Sequence, residues 1–137
     1  MFEPMEGGCL CGRVRYRVTA APLDGAYCHC RMCQKSSGAP LQASAEFPLE
    51  AFEVTEGRLK AYRSSPWALR RFCPDCGSQI SYERAENPTY VSVNIATLDR
   101  PESFQPRMHI WRDNRISWFE TTDDLPRYDR DGPPVGG

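Results

Sequence analysis

The sequence predicts a mainly β domain, and three observations carry the prediction. Short β-branched or aromatic segments alternate in polarity and are bounded by Gly, Pro, Asn or Asp; helical periodicity of useful length is absent; and seven cysteines in three tight groups supply a cross-link. The cross-link matters because eight Leu, four Ile, six Val and six Phe make 24 of 137 residues, about 18 %. That lies below the ~20 % at which an apolar core becomes weak, and a small domain on such a core needs a staple. Disorder is the usual alternative, but it also requires a high net charge, and 17 basic against 18 acidic residues leave −1. The same balance, with no block of like charges, argues against nucleic acid or an anionic membrane as the main partner. The length predicts one domain over residues 1–137, ordered from about residue 5 to 130.

In chain order, Val14, Tyr16 and Val18 alternate with Arg13, Arg15 and Arg17, the period of a half-buried strand. Strands are then predicted over Phe52–Thr55, Arg58–Arg63, Gln79–Tyr82, Tyr90–Ala96, His109–Arg112 and Arg115–Phe119. Asp113-Asn114 tolerates positive φ and predicts a tight hairpin between the last two. The best helical candidate is a turn or two over Arg31–Ser37, stopping at Gly38. Trp111, Trp118 and Phe119 are expected to be core aromatics. From Asp129 onward the polar, Pro/Gly-rich tail is expected to be unordered.

Residues 1–8 lack a basic segment followed by an apolar one, and no apolar run approaches the ~18 residues of a membrane span. The expected setting is cytoplasmic, where closely spaced thiols bind metal or do redox chemistry more often than they form disulfides. The groups are Cys9-Leu10-Cys11, Cys28-His29-Cys30-Arg31-Met32-Cys33 and Cys73-Pro74-Asp75-Cys76-Gly77. A closed structural zinc site takes four protein ligands and a catalytic one leaves a position open, so seven thiols divide as four and three. Two partitions satisfy the spacing. Cys30, Cys33, Cys73 and Cys76 could form a ribbon with a long insert; or Cys9, Cys11, Cys73 and Cys76 could close one site and leave Cys28, Cys30 and Cys33 as an open one. Three thiols within six residues converge on one ion unaided, which favours the second. A closed triplet would need His29, His109 or a carboxylate as its fourth ligand.

These motifs resemble the glutathione-dependent formaldehyde-activating enzyme family, which also includes the zinc domain of centromere protein V. The matching residues run from Gly8-Cys9-Leu10-Cys11-Gly12-Arg13-Val14-Arg15-Tyr16 and Cys28 to Cys33, into Ser37-Gly38-Ala39. They continue through Arg71-Phe72-Cys73-Pro74-Asp75-Cys76-Gly77-Ser78, Thr97-Leu98-Asp99, His109-Ile110-Trp111 and Leu125-Pro126. Ala96 stands where a glycine is usual before Thr-Leu-Asp. The resemblance implies a β-tent of small antiparallel sheets stapled by zinc. It also implies two zinc ions per chain, a structural one on Cys9, Cys11, Cys73 and Cys76 and a catalytic one on Cys28, Cys30 and Cys33.

Three thiolates leave a zinc site with net charge −1, a weak Lewis acid for water but suited to holding a further thiol deprotonated. Glutathione, or a related small thiol, is the expected partner, adding to a small aldehyde to give a hemithioacetal; the reverse step breaks a carbon–sulfur bond. His29, between two proposed ligands, is the candidate proton donor, with His109 expected to be structural. Arg31 and Lys35 are the nearest candidate cations for the substrate, and Arg70 and Arg71 adjoin the second knuckle. The expected activity is a zinc-dependent carbon–sulfur lyase, with a non-enzymatic zinc-stabilised protein-binding module as the alternative.

Overall fold

The structure, a computed structural model, describes residues 2–135. It is mainly β, as expected. Ten strands, β1 (Met5–Gly8), β2 (Arg15–Val18), β3 (Asp24–Cys28), β4 (Gln42–Pro48), β5 (Phe52–Glu56), β6 (Lys60–Ser65), β7 (Ala68–Phe72), β8 (Gln79–Arg84), β9 (Tyr90–Asn94) and β10 (Met108–Ile110), accompany one helix, α1 (Arg31–Ser37). The strands form a three-stranded sheet in the order β1-β2-β5 and a seven-stranded sheet in the order β10-β3-β4-β9-β8-β7-β6. The larger sheet is mixed: β10 joins β3 in parallel and the other pairs are antiparallel.

Side-chain alternation divides the large sheet into two functional faces. On one face Ala45 and Phe47 of β4, with Val91 and Val93 of β9, cluster with Tyr16 and Val18 of β2 and with Val14 just before it. All seven are at most 1 % exposed, so the alternating Arg/Val/Tyr segment does form the buried half of the sandwich. Burying side chains of this size is worth roughly 1.5–3 kcal/mol each. The opposite face carries Asp24, Ala26 and Cys28 from β3, Gln42, Ser44 and Glu46 from β4, and Ser92 and Asn94 from β9, all of which line a cavity. The register Asp24↔Glu46↔Ser92 and Cys28↔Gln42 places the acidic and thiol residues in separate rows.

Two expectations near the C-terminal end are corrected. No hairpin forms at Asp113-Asn114: β10 ends at Ile110, Trp111 takes a left-handed φ of 58°, and Arg112–Asn114 forms a 3-10 turn. The outer edge of β10 is covered instead by residues 126–130. His109 donates its amide to the Pro126 carbonyl and Tyr128 donates to the His109 carbonyl, at 2.8 and 2.9 Å. Hence Arg115–Phe119 is no strand, and Trp118 and Phe119 are exposed rather than core, at 75 % and 36 %. The tail from Asp129 is also structured, because the Trp111 amide donates to the Arg130 carbonyl and the Trp111 indole N–H to Asp131. For Gly136 and Gly137 the expectation of disorder falls outside the described residues. No helix among the described residues is long and apolar enough to cross a membrane.

Candidate functional site

All seven cysteines are free thiols, and they gather in two clusters: Cys9, Cys11, Cys73 and Cys76, and Cys28, Cys30 and Cys33. Within each cluster the sulfur atoms lie within 4.8 Å of one another. In the first, Cys9 and Cys11 are 3.5 Å apart and Cys11 and Cys73 3.8 Å. Tetrahedral zinc with bonds of about 2.3 Å sets its sulfurs about 3.8 Å apart, so the donor set fits that ion.

The local chain explains how each knuckle forms. Gly12 and Gly77 follow the two halves of the first cluster with φ of 80° and 79°, a conformation that other residues adopt at a cost. Backbone amides then turn toward sulfur: Val14 N–H donates to Cys9 Sγ at 3.2 Å and Cys76 N–H to Cys73 Sγ at 3.5 Å. The Ser78 hydroxyl stands 3.2 Å from Cys76 Sγ, and its hydrogen bonding holds that thiol down to about 5. Cys9, Cys11, Cys73 and Cys76 thus join the loop before β2 to the turn between β7 and β8.

The triplet is built differently. Cys28 ends β3, Cys30 caps α1, and Cys33 lies in the first turn, where its amide donates to Cys30 Sγ at 3.3 Å. Gly38 closes the helix through its amide to the Gln34 carbonyl, at the position predicted. Hydrogen bonds from Cys28 and then Cys33 hold Cys30 down to about 2, and the same bond to Cys30 pushes Cys28 far up. Among the described residues no His, Asp or Glu joins the three sulfurs as a fourth ligand.

Above the triplet opens a cavity of about 550 Å³, within the range of small-molecule sites. Cys28, Cys30 and Cys33 lie at one end of its floor and Asp24 and Glu46 on the other row of the sheet. Arg31 lines it as well, while Lys35 lies on a separate shallow surface beside Pro40 and Trp118. Asp131, Gly132, Pro133 and Val135 bring the C-terminal tail to its wall.

Neither imidazole is among the lining residues. His29 Nε2 lies 2.9 Å from His109 Nδ1, and His109 Nε2 lies 3.1 Å from Asp123 Oδ1. Tyr27 stacks on His109 at 4.8 Å between ring centres. His29 therefore sits on the back of the sheet while Cys28 and Cys30 face forward. Burial, and then the neighbouring His109, hold its pKa down to about 4.

The cation that reaches the sulfurs is Arg70. It is 6 % exposed, with Nη2 donating to Cys33 Sγ at 3.7 Å and Nη1 donating to Ser36 Oγ and Gln42 Oε1, each at 3.2 Å. Its guanidinium carbon stands 5.0 Å from the Tyr82 ring centre. Sequence proximity pointed to Arg31 and Lys35; Arg70 arrives through the pairing of β7 with β8, which no local spacing reveals.

Glu46 is the other buried charge-bearing group of the cavity, pushed up to about 8 by burial and then by Asp24. A carboxyl raised in the folded state contributes stability that is present below the ordinary value near 4.3 and lost as pH rises toward 8. Zinc-loaded Glu46→Gln, which cannot ionise, should therefore gain on the wild type by up to about 4 kcal/mol between pH 5 and 8. Urea unfolding of both proteins at the two pH values measures this. A constant difference counts against a carboxyl held neutral.

A mainly β fold with one four-thiol cluster and a three-thiol cluster opening into a cavity has the donor sets of a metal-binding protein rather than of a disulfide scaffold. The chain belongs to the glutathione-dependent formaldehyde-activating enzyme family, whose model matches residues 4–114, and so to a family of glutathione-dependent lyases. It is 28 % identical over 90 residues to an uncharacterized lyase of Schizosaccharomyces pombe, a match covering 64 % of this chain and 65 % of that protein. It is 26 % identical over 127 residues to a Halomonas elongata protein provisionally named glutathione-dependent formaldehyde-activating enzyme, covering 85 % of this chain and 80 % of that one. A crystal structure of a Rhodobacter sphaeroides protein superposes with a TM-score of 0.60 and 29 % identity, over 75 % of this chain and 93 % of that one. The tail that walls the cavity lies beyond the residues the family model matches.

Proposed function

We propose that this chain is a zinc-dependent carbon–sulfur lyase that adds glutathione to a small aldehyde, formaldehyde by the family's name, or reverses that addition. The observation that carries the reading is that Cys28, Cys30 and Cys33 line the cavity with no fourth protein ligand among the described residues. Cys9, Cys11, Cys73 and Cys76 would hold a structural zinc and the triplet a catalytic one. A zinc ion held by Cys28, Cys30 and Cys33 would supply the positive charge that favours the thiolate form of a substrate thiol near neutral pH. The chain's own groups do the rest. Arg70 offsets the negative charge of the thiolates, and the cavity walls shield the reacting carbon and sulfur from bulk water. His29, bonded to His109, fixes the segment that carries Cys28 and Cys30 and acts on the reaction through their placement. The developing alkoxide needs a donor on the cavity face, where Tyr82 and Asn94 stand among the lining residues.

Cobalt-substituted protein tests the reading. Glutathione should strengthen the sulfur-to-metal charge-transfer band and release a proton, because a coordinated thiol is deprotonated. S-methylglutathione, which lacks an ionisable thiol, should bind much more weakly. If the two bind alike, or the spectrum ignores glutathione, the binding-module reading replaces the enzyme.

A further inference from the structure

The geometry points to the end of the cavity built by Asp24 and Glu46 as the subsite for the α-ammonium group of the thiol substrate. This rests on the glutathione reading and says which end of the peptide each end of the cavity takes. Asp24 and Glu46 are register partners on β3 and β4, and both line the cavity. Glu46 is 8 % exposed, and its Oε2 is buried without a hydrogen-bond partner. A buried carboxylate oxygen normally has a partner, because an unpaired one loses the hydrogen bonds it makes to water in the unfolded chain. Among the described residues neither Asp24 nor Glu46 has an ion-pair partner. A ligand cation at this position would serve both carboxylates, and it would draw Glu46 back to the ionised form that burial now disfavours.

Length and polarity agree with an α-amino acid head at this end. Four residue steps along β3 separate Asp24 from Cys28, about 13 Å. Eight bonds separate the sulfur of glutathione from its α-nitrogen, about 10 Å when extended at standard bond lengths. The metal–sulfur bonds at one end and a hydrogen bond at the other make up the difference. Arg84 and Tyr90 line this end too, so a cation stands near for the carboxylate that shares the α-carbon. The thiol end, by contrast, presents Arg70 and Arg31. The cavity is thus polarised so that an ammonium is favoured far from the sulfur and disfavoured beside it.

The test compares glutathione with glutaryl-cysteinyl-glycine, the same peptide with the α-ammonium replaced by hydrogen, by calorimetry on the zinc-loaded protein. The wild type should bind glutathione about tenfold to a hundredfold more tightly, the worth of a charge-assisted hydrogen bond. In Glu46→Gln and in Asp24→Asn the preference should shrink by about tenfold or more, with affinity for the glutaryl peptide retained. The wild-type comparison decides even if one variant fails to fold. Equal wild-type affinity for the two peptides overturns this subsite and leaves the glutathione reading standing. Failure of both peptides to bind overturns the glutathione reading, and the subsite with it.

Discussion

Cys76→Ser should leave an unfolded or insoluble chain, whereas Cys33→Ser should remain folded with one zinc fewer. The difference follows from what each cluster joins. Cys9 and Cys11 lie in the loop before β2 and Cys73 and Cys76 in the turn between β7 and β8, so this cluster ties the small sheet to the far side of the large one. Zinc binding at four thiolates is worth ~10–16 kcal/mol, comparable to or above the ~5–15 kcal/mol stability of a whole domain. The core that would have to compensate is small, resting on Tyr16, Phe47, Ile80 and a few valines and alanines. The triplet spans only the end of β3 and the first turn of α1, and those segments are also held by the β3–β4 pairing and the helix cap. Thermal unfolding with zinc counted per chain distinguishes the two variants. Equal stability would show that the clusters do not divide into a structural and a catalytic role.

Arg70→Met should lower kcat/KM for hemithioacetal formation by about tenfold to a hundredfold, the worth of one hydrogen bond to a charged group. Arg70 is the cation bonded to a triplet sulfur, and methionine keeps most of its length while removing its charge. Arg70→Lys should recover part of the loss, since the charge returns without the fork that reaches Ser36, Gln42 and Cys33 together. Exchange spectroscopy on glutathione with aldehyde reads the rate, and zinc content and thermal stability are measured beside it. A loss of folding that matches the loss of rate, with no recovery in the lysine variant, would mark Arg70 as a structural strut only.

The features legible in the sequence are those set by neighbours in the chain. The helix Arg31–Ser37 is announced by its place just after the cysteine group and by Gly38, and alternation around Tyr16 identifies a buried face. Local convergence of three thiols favours the right grouping, and the structure gathers the same four and three sulfurs. What the sequence hides is set by distant partners. β10 reads as the first arm of a hairpin because Asp113-Asn114 is good turn chemistry, yet its partner is β3, parallel and some eighty residues earlier. Nothing local marks Trp111 as left-handed, since a tryptophan there is carried by the hydrogen bonds of its amide and indole to Arg130 and Asp131. The tail composition suggests disorder, and only the exposed edge of β10 shows why it settles. Arg70 and Glu46 are ordinary charged residues in sequence; their burial comes from strand register.

The two clusters also differ in when they can exist during synthesis. Every ligand of the triplet has left the ribosome within a stretch of six residues, Cys28 to Cys33, but Cys9 and Cys11 must wait for Cys76, 65 residues after Cys11. At ~5–20 residues per second that wait lasts roughly 3–13 s, and contacts of such sequence separation are slow to close even after the chain is free. Until then the N-terminal thiol pair has no partner pair with which to close a four-thiol site, while the local triplet can already gather. On the roles proposed above, assembly would run opposite to importance: the triplet assigned to the chemistry can be complete first, and the four-thiol cluster assigned to holding the fold together is the last whose members are all present.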